Sequence, residues 1–148
     1  MIFKAGSVAP QRVEGSATRQ EVRLGDAGGL AQLGVNIVTL GPGERSAMRH
    51  WHAQEDEFLY LLSGEAVVVE DDGEHVLRPG DACCWPAGVE NAHHVLNRSD
   101  APLTYLVVGS QAEIDTVRYP DDGLTLHQAP PRWQMLRDDG TVAREGDT

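Results

Sequence analysis

His50-Trp51-His52, with Glu57 a few residues on, is the stretch of this chain best equipped for chemistry. In an extended strand successive side chains alternate faces, so His50 and His52 share one side while Trp51 takes the other. Two imidazoles on one face, joined by a carboxylate returning from the next strand, form part of a shell for a divalent cation. Glu55 and Asp56 are competing carboxylates. About forty residues on, after two turn signals, comes a second pair of imidazoles, His93-His94. For both stretches to serve one site, the intervening chain must fold them together.

The elements able to do so read as short strands. Leu33–Leu40 is apolar and β-branched and stops at Gly41-Pro42-Gly43. Met48–His52 begins the next extended piece, and Glu57–Leu62 follows, closed by Ser63-Gly64. Because Phe58–Leu62 is apolar at every position, it reads as a central strand buried on both faces. Ala66–Glu70 and His75–Leu77 flank Asp71-Asp72-Gly73, a hairpin signal. Asp81–Trp85, His93–Leu96 and Leu103–Val108 complete the series, and Val117–Tyr119 adds an edge pairing. An alternating segment, Thr18–Leu24, forms an edge strand or arm, broken by Gly25–Gly29. Strands every 8–12 residues without a helical period describe an all-β barrel or sandwich. From about Gln128 the chain turns polar and Gly-containing, and is expected to pack loosely.

At 148 residues the chain fits one domain with a substantial core. Its net charge of −11, from 23 acidic and 12 basic residues, repels phosphate backbones and anionic headgroups. Nucleic acid and membrane are therefore excluded as general partners. The stretch MIFKAGSVAPQRVEG lacks the apolar core of a signal peptide. Cys83 and Cys84 are adjacent, and a bridge between neighbours is strained. A reduced, cytoplasmic protein is the expectation.

The two histidine stretches together resemble the paired motifs of the cupin superfamily, in particular its small single-domain bacterial members. His50-x-His52, four residues, Glu57, six residues, Gly64 follows the first motif. Gly80, five residues, Pro86-x-Gly88, and then His93, three residues, Asn97 follow the second. The departure is the gap from Gly88 to His93, four residues where two are usual, which leaves Asn91 where strict spacing expects His. His93 keeps the distance to Asn97 and is preferred as the later histidine, with His94 the alternative.

The resemblance covers about residues 33–110. It implies an antiparallel jelly-roll barrel (a double-stranded β-helix), preceded by an N-terminal arm over 1–32 and followed by a C-terminal strand and tail over 111–148. It also implies a metal site of His50, His52, Glu57 and His93. Three imidazoles and a carboxylate suit Fe, Mn, Ni, Co or Zn, and leave positions open for a ligand. The expected function is a metal-dependent oxygenase, isomerase or lyase acting on a small organic or sugar-like substrate. The alternative is a non-catalytic module that binds a sugar or carboxylate around a structural metal. A homodimer is expected, through an edge pairing that buries Val22 or Leu24.

Other residues are weighed one by one. His75 and His127 fit no motif and are expected at the surface. Met48, Tyr60 or a cysteine could line the pocket. Arg45 and Arg49, the cations nearest the first motif, are expected as solvated loop residues, and Asp81 as a turn-stabilising one.

Overall fold

A computed structural model describes residues 1–148. The chain forms fourteen strands and one short helix. In order these are β1 Gln11–Val13, β2 Arg19–Arg23, α1 Leu24–Ala27, β3 Leu33–Leu40, β4 Trp51–His52, β5 Glu57–Ser63 and β6 Ala66–Glu70. There follow β7 Gly73–Leu77, β8 Ala82–Trp85, β9 His94–Leu96, β10 Leu103–Ser110, β11 Asp115–Tyr119, β12 Leu124–Ala129, β13 Arg132–Arg137 and β14 Val142–Asp147. No helix is long and apolar enough to cross a membrane.

Every pairing is antiparallel. One wall is a six-stranded sheet in the order β1-β2-β3-β10-β5-β8. The facing wall is made of two sheets, β14-β13-β12-β11-β4 and β7-β6-β9. Bridges at His50↔His93 and Arg45↔Leu96 stitch these two together. The result is the all-β antiparallel jelly roll expected from the motifs. Its core draws on both walls: Val38, Leu40, Leu59, Leu61, Leu103 and Tyr105 from the first, and Ala66, Val68, Leu77 and Val95 from the second. Leu40, Leu59, Leu61 and Leu103 are at most 1% exposed. Each such side chain contributes about 1.5–3 kcal/mol on removal from water.

The motif glycines have a steric reason. Gly64 sits at φ +81°, and a Cβ there would lie 2.7 Å from the Leu103 Cα. Any side chain would push β10 away from the end of β5.

Two expectations need correction. Strand β5 is central, between β10 and β8, but it is buried on one face only. Leu59 and Leu61 face the core at 1% and 0% exposure, whereas Tyr60 and Leu62 are 39% and 45% exposed on the other side. An apolar run fixes strand character, but what covers its second face is decided elsewhere. The tail from Gln128, expected to pack loosely, does form strands that the sequence reading did not anticipate. It continues β12 and adds β13 and β14, in register from Leu124↔Arg137 to Ala129↔Arg132 and from Arg132↔Asp147 onward. Backbone pairing, with turns at Gly123 and Gly140 in positive φ, holds it while its side chains remain largely polar.

Candidate metal centre

Four chain segments converge at one end of the barrel. His50 immediately precedes β4, which pairs with β11 through His52↔Val117. His93 immediately precedes β9. The two histidines exchange backbone hydrogen bonds, His50 N to His93 O at 3.1 Å and His93 N to His50 O at 2.9 Å. Glu57 opens β5 on its inward face, flanked by Trp85 of β8 and Gly109 of β10.

The side chains meet. Donor atoms of His50, His52 and Glu57 all lie within 4.8 Å of one another. His93 Nε2 is 3.0 Å from Glu57 Oε2, and His50 Nε2 is 4.0 Å from the same oxygen. The His50 ring centroid is 5.0 Å from that of His52 and 5.2 Å from that of His93. Ligands bonded at about 2.1 Å to a single ion stand roughly 3–4 Å apart, so small side-chain adjustments bring this set into range.

Hydrogen bonds orient each ring. His50 Nδ1 faces the Met48 carbonyl at 2.7 Å, His93 Nδ1 the Asn91 carbonyl at 3.1 Å, and His52 Nδ1 the Asp115 carboxylate at 2.7 Å. Carbonyl and carboxylate oxygens only accept, so a neutral ring in each position carries its proton on Nδ1. The Nε2 lone pair is then left free. Three such lone pairs beside the Glu57 carboxylate form a set of electron-pair donors with no proton among them, a set that a cation satisfies. Burial pushes the His50 imidazole down to about 4, against the pull of Glu57, so the ring stays neutral near pH 7. Burial also acts to raise the Glu57 carboxyl, but the imidazoles of His93, His50 and His52 around it outweigh that and hold it below the usual range.

Asp115, Trp85 and Glu55 complete the surroundings, and the sequence did not single out the first two. Asp115 is 4% exposed and holds His52 while its other oxygen accepts the Gln54 N–H at 2.9 Å. Trp85 stacks flat on His93, with centroids 3.7 Å apart and planes 5° apart, and its indole N–H donates to Glu70. Glu55 reaches within 3.6 Å of His52 Nδ1 and accepts the Ala112 N–H; burial raises its carboxyl. Only the alternation of Asp115 with Val117 along β11 hints at an inward carboxylate there.

The later histidines separate clearly. His93 is 3% exposed beside Glu57, whereas His94 turns Nδ1 to the Ala47 carbonyl at 3.1 Å. The two extra residues are taken up in the loop after Gly88. There Asn91 O orients His93, while Asn91 Oδ1 accepts the Asp71 N–H at 3.0 Å.

A cavity of about 460 Å³ opens from the cluster, lined among others by Glu55, Tyr119, Tyr105 and Arg19. Met48, Tyr60 and the cysteines do not line it, contrary to expectation: Tyr60 and Cys84 point to the outer face of their sheet. Its one Lys or Arg is Arg19, tied to Glu21 at 2.9 Å and to the Ser46 carbonyl at 2.7 Å. Of the two arginines near the first motif, Arg45 donates to Ser16 O. Arg49 is no solvated loop residue, since Asp121, Asp71 and Ala92 O all accept from it. His75 and His127 are exposed, and Asp81 accepts the Arg78 N–H across its turn, as expected.

A jelly roll with this inward cluster is the architecture of the cupins, and residues 36–109 match the cupin domain family Cupin_2. The chain belongs to that family. Its structure is similar to that of a sugar phosphate isomerase from a cupin superfamily, from Silicibacter pomeroyi DSS-3. The two share 38% identity with a TM-score of 0.87, over 97% of each chain. A putative sugar phosphate isomerase from Acidithiobacillus ferrooxidans is 28% identical with a TM-score of 0.86, over 97% of this chain and 96% of that one. The tetracenomycin polyketide synthase protein TcmJ of Streptomyces glaucescens is 31% identical over 96 residues, 65% of this chain and 62% of that protein. The chain thus spans less than two thirds of that relative's length.

Proposed function

We propose that this cupin is a metal-dependent isomerase of a small hydroxylated, anionic substrate of the sugar phosphate kind. His50, His52, Glu57 and His93 would hold one divalent ion, of Fe, Mn, Ni, Co or Zn. The observation that carries the metal reading is the common orientation of three rings, each with Nδ1 engaged and Nε2 left beside the Glu57 carboxylate. The isomerase reading is supported by full-length likeness to a sugar phosphate isomerase at 38% identity. We further infer a cytoplasmic homodimer, consistent with two free thiols.

When bound, the ion supplies Lewis acidity to a substrate oxygen. The chain's own groups do the rest. Isomerisation takes a proton from one carbon and returns it to the next. Glu55, whose burial raises its carboxyl and so makes its carboxylate a stronger base, is the group on the cavity wall that would take the proton from the first carbon and, once protonated, return it to the next. Tyr119 lines the same wall with its phenol raised by burial, so it remains a hydrogen-bond donor. Arg19 offers the positive charge that an anionic group requires.

The test is elemental analysis of the wild-type protein and of His50→Ala, His93→Ala and His94→Ala, with aldose and ketose phosphates followed by NMR. Metal should be retained in wild type and His94→Ala and lost in the other two, with interconversion following metal content. Loss in His94→Ala alone overturns the ligand assignment. A sugar phosphate that raises the melting temperature yet is never converted replaces the isomerase with a binding module.

A further inference from the structure

Arg49 lies one residue before His50, yet it is not among the residues that line the cavity. Its side chain is only 15% exposed and joins three separate segments. Nε and Nη2 donate to the two carboxylate oxygens of Asp121, at 2.8 and 2.7 Å, in the turn after β11. Nη1 donates to Asp71, in the turn between β6 and β7, and to the Ala92 carbonyl at 3.1 Å. Each acceptor leads on to a group of the site. Ala92 precedes His93, whose backbone pairs with that of His50. Asp71 N donates to Asn91 Oδ1, and the Asn91 carbonyl faces His93 Nδ1. Asp121 follows Tyr119 by two residues, and the Tyr119 ring centroid lies 5.7 Å from that of His50.

We propose that Arg49 is a positioning residue, a clamp outside the cavity that sets the His50 and His93 rings and the Tyr119 wall relative to one another. Its consequence for metal binding rests on the ligand set proposed above; the placement of the rings does not. A guanidinium suits the task, because its rigid fork of N–H groups meets several acceptors in fixed directions. An ammonium in its place is a point charge on a flexible stem and would not fix all three segments. Folding stability is a weak reason for the cluster. Asp71 and Asp121 are 51% and 56% exposed, and ion pairs to carboxylates so exposed contribute little. Charge is a weak reason too, since a cation placed beside a divalent ion opposes its binding. Geometry remains. His50 and His93 must aim their Nε2 atoms at one point, and Arg49 ties down the backbone one residue before each.

NMR of the metal-free protein, joined to cobalt titration followed by calorimetry and visible absorption, tests the clamp. Long-range proton–nitrogen spectra report which ring nitrogen carries the proton. In wild type near neutral pH, His50 and His93 should both carry it on Nδ1. In Arg49→Gln that shared signature should be lost, cobalt should bind about tenfold more weakly, and its absorption should shift. Arg49→Lys, which keeps the charge and loses the fork, should fall with Arg49→Gln. Asp121→Ala, at an exposed turn residue, opens the clamp more gently and should move the ring signals in the same direction. Arg98→Gln, which breaks an exposed ion pair with Glu74, should match wild type throughout. Unchanged ring signatures in both Arg49→Gln and Asp121→Ala overturn the clamp. So does cobalt affinity that rises in Arg49→Gln and returns to the wild-type value in Arg49→Lys, the pattern of a charge. Wild type that takes up no cobalt, while its ring signatures still depend on Arg49, removes the metal reading and upholds the clamp.

Discussion

Along β5, Glu57, Leu59 and Leu61 point into the barrel, while Phe58, Tyr60 and Leu62 point away from it. The inward row passes from a carboxylate held below its usual range to two leucines out of reach of water. The outward row is apolar and partly wet, and the outward positions of its neighbours β10 and β8 carry no charge. Residues one position apart, about 3.3 Å along the strand, thus meet opposite rules. Inside, a charge is tolerated because neighbours compensate it, as Arg19 and Arg23 do for Glu21, whose burial they outweigh. Outside, charge is excluded. The inner row runs from a cluster of metal-ligating side chains into the core, and the outer row stays apolar at the surface.

The comparison is broken most forcefully inside. Leu61→Ala should cost about 2–5 kcal/mol in urea unfolding, because the neighbouring strands cannot collapse onto the void. A cost under about 1 kcal/mol would mean that the inner row is not the close-packed one. Next comes the support of the site: Asp115→Asn should lower metal affinity about 10–100-fold by titration calorimetry, since His52 loses the carboxylate that fixes its ring. That corresponds to about 1.4–2.7 kcal/mol.

A pH series is subtler. In chelated, metal-free protein, His50 titrates near 4 when folded and near its ordinary 6.5 when unfolded, so the unfolded chain binds the extra proton between those values. Stability is therefore present above about pH 6.5 and lost as pH falls toward 4. The depressed Glu57 carboxyl acts in the same direction below its usual range. Melting temperatures that hold constant from pH 7 to 4 would remove His50 from this account. The smallest effect is at Leu62, 45% exposed on the outer face: Leu62→Ala should cost under about 1 kcal/mol in the same urea unfolding, well below Leu61→Ala.

Much of the barrel was legible in advance. The spans of β3 and β6 follow from β-branched runs bounded by Gly, Pro and Asp, and these signals are local. His50, His52 and Glu57 were legible because strand alternation and a short turn fix their mutual placement. Asp115 was not, since it reaches His52 through a β11–β4 pairing that joins positions more than sixty residues apart. Arg19 was passed over for Arg45 and Arg49 because nearness in sequence to the motif stood in for nearness in space. The second face of β5 was misread because an apolar side chain on a strand looks the same in sequence whether it is buried or, like Tyr60 and Leu62, partly exposed. The β12–β14 meander was missed because pairing there depends on the backbone and its turns, which leave little trace in hydropathy.

The reciprocal backbone hydrogen bonds between His50 and His93 have a kinetic meaning as well. They close a loop of about forty residues, an entropic cost met only once the strands between them are in place. Before that closure, His50 and His52 are separated from His93 by a fluctuating chain, and no four-donor pocket exists. Metal uptake during refolding would then follow barrel closure, and the ion would act as a timer for the last long-range step in assembly.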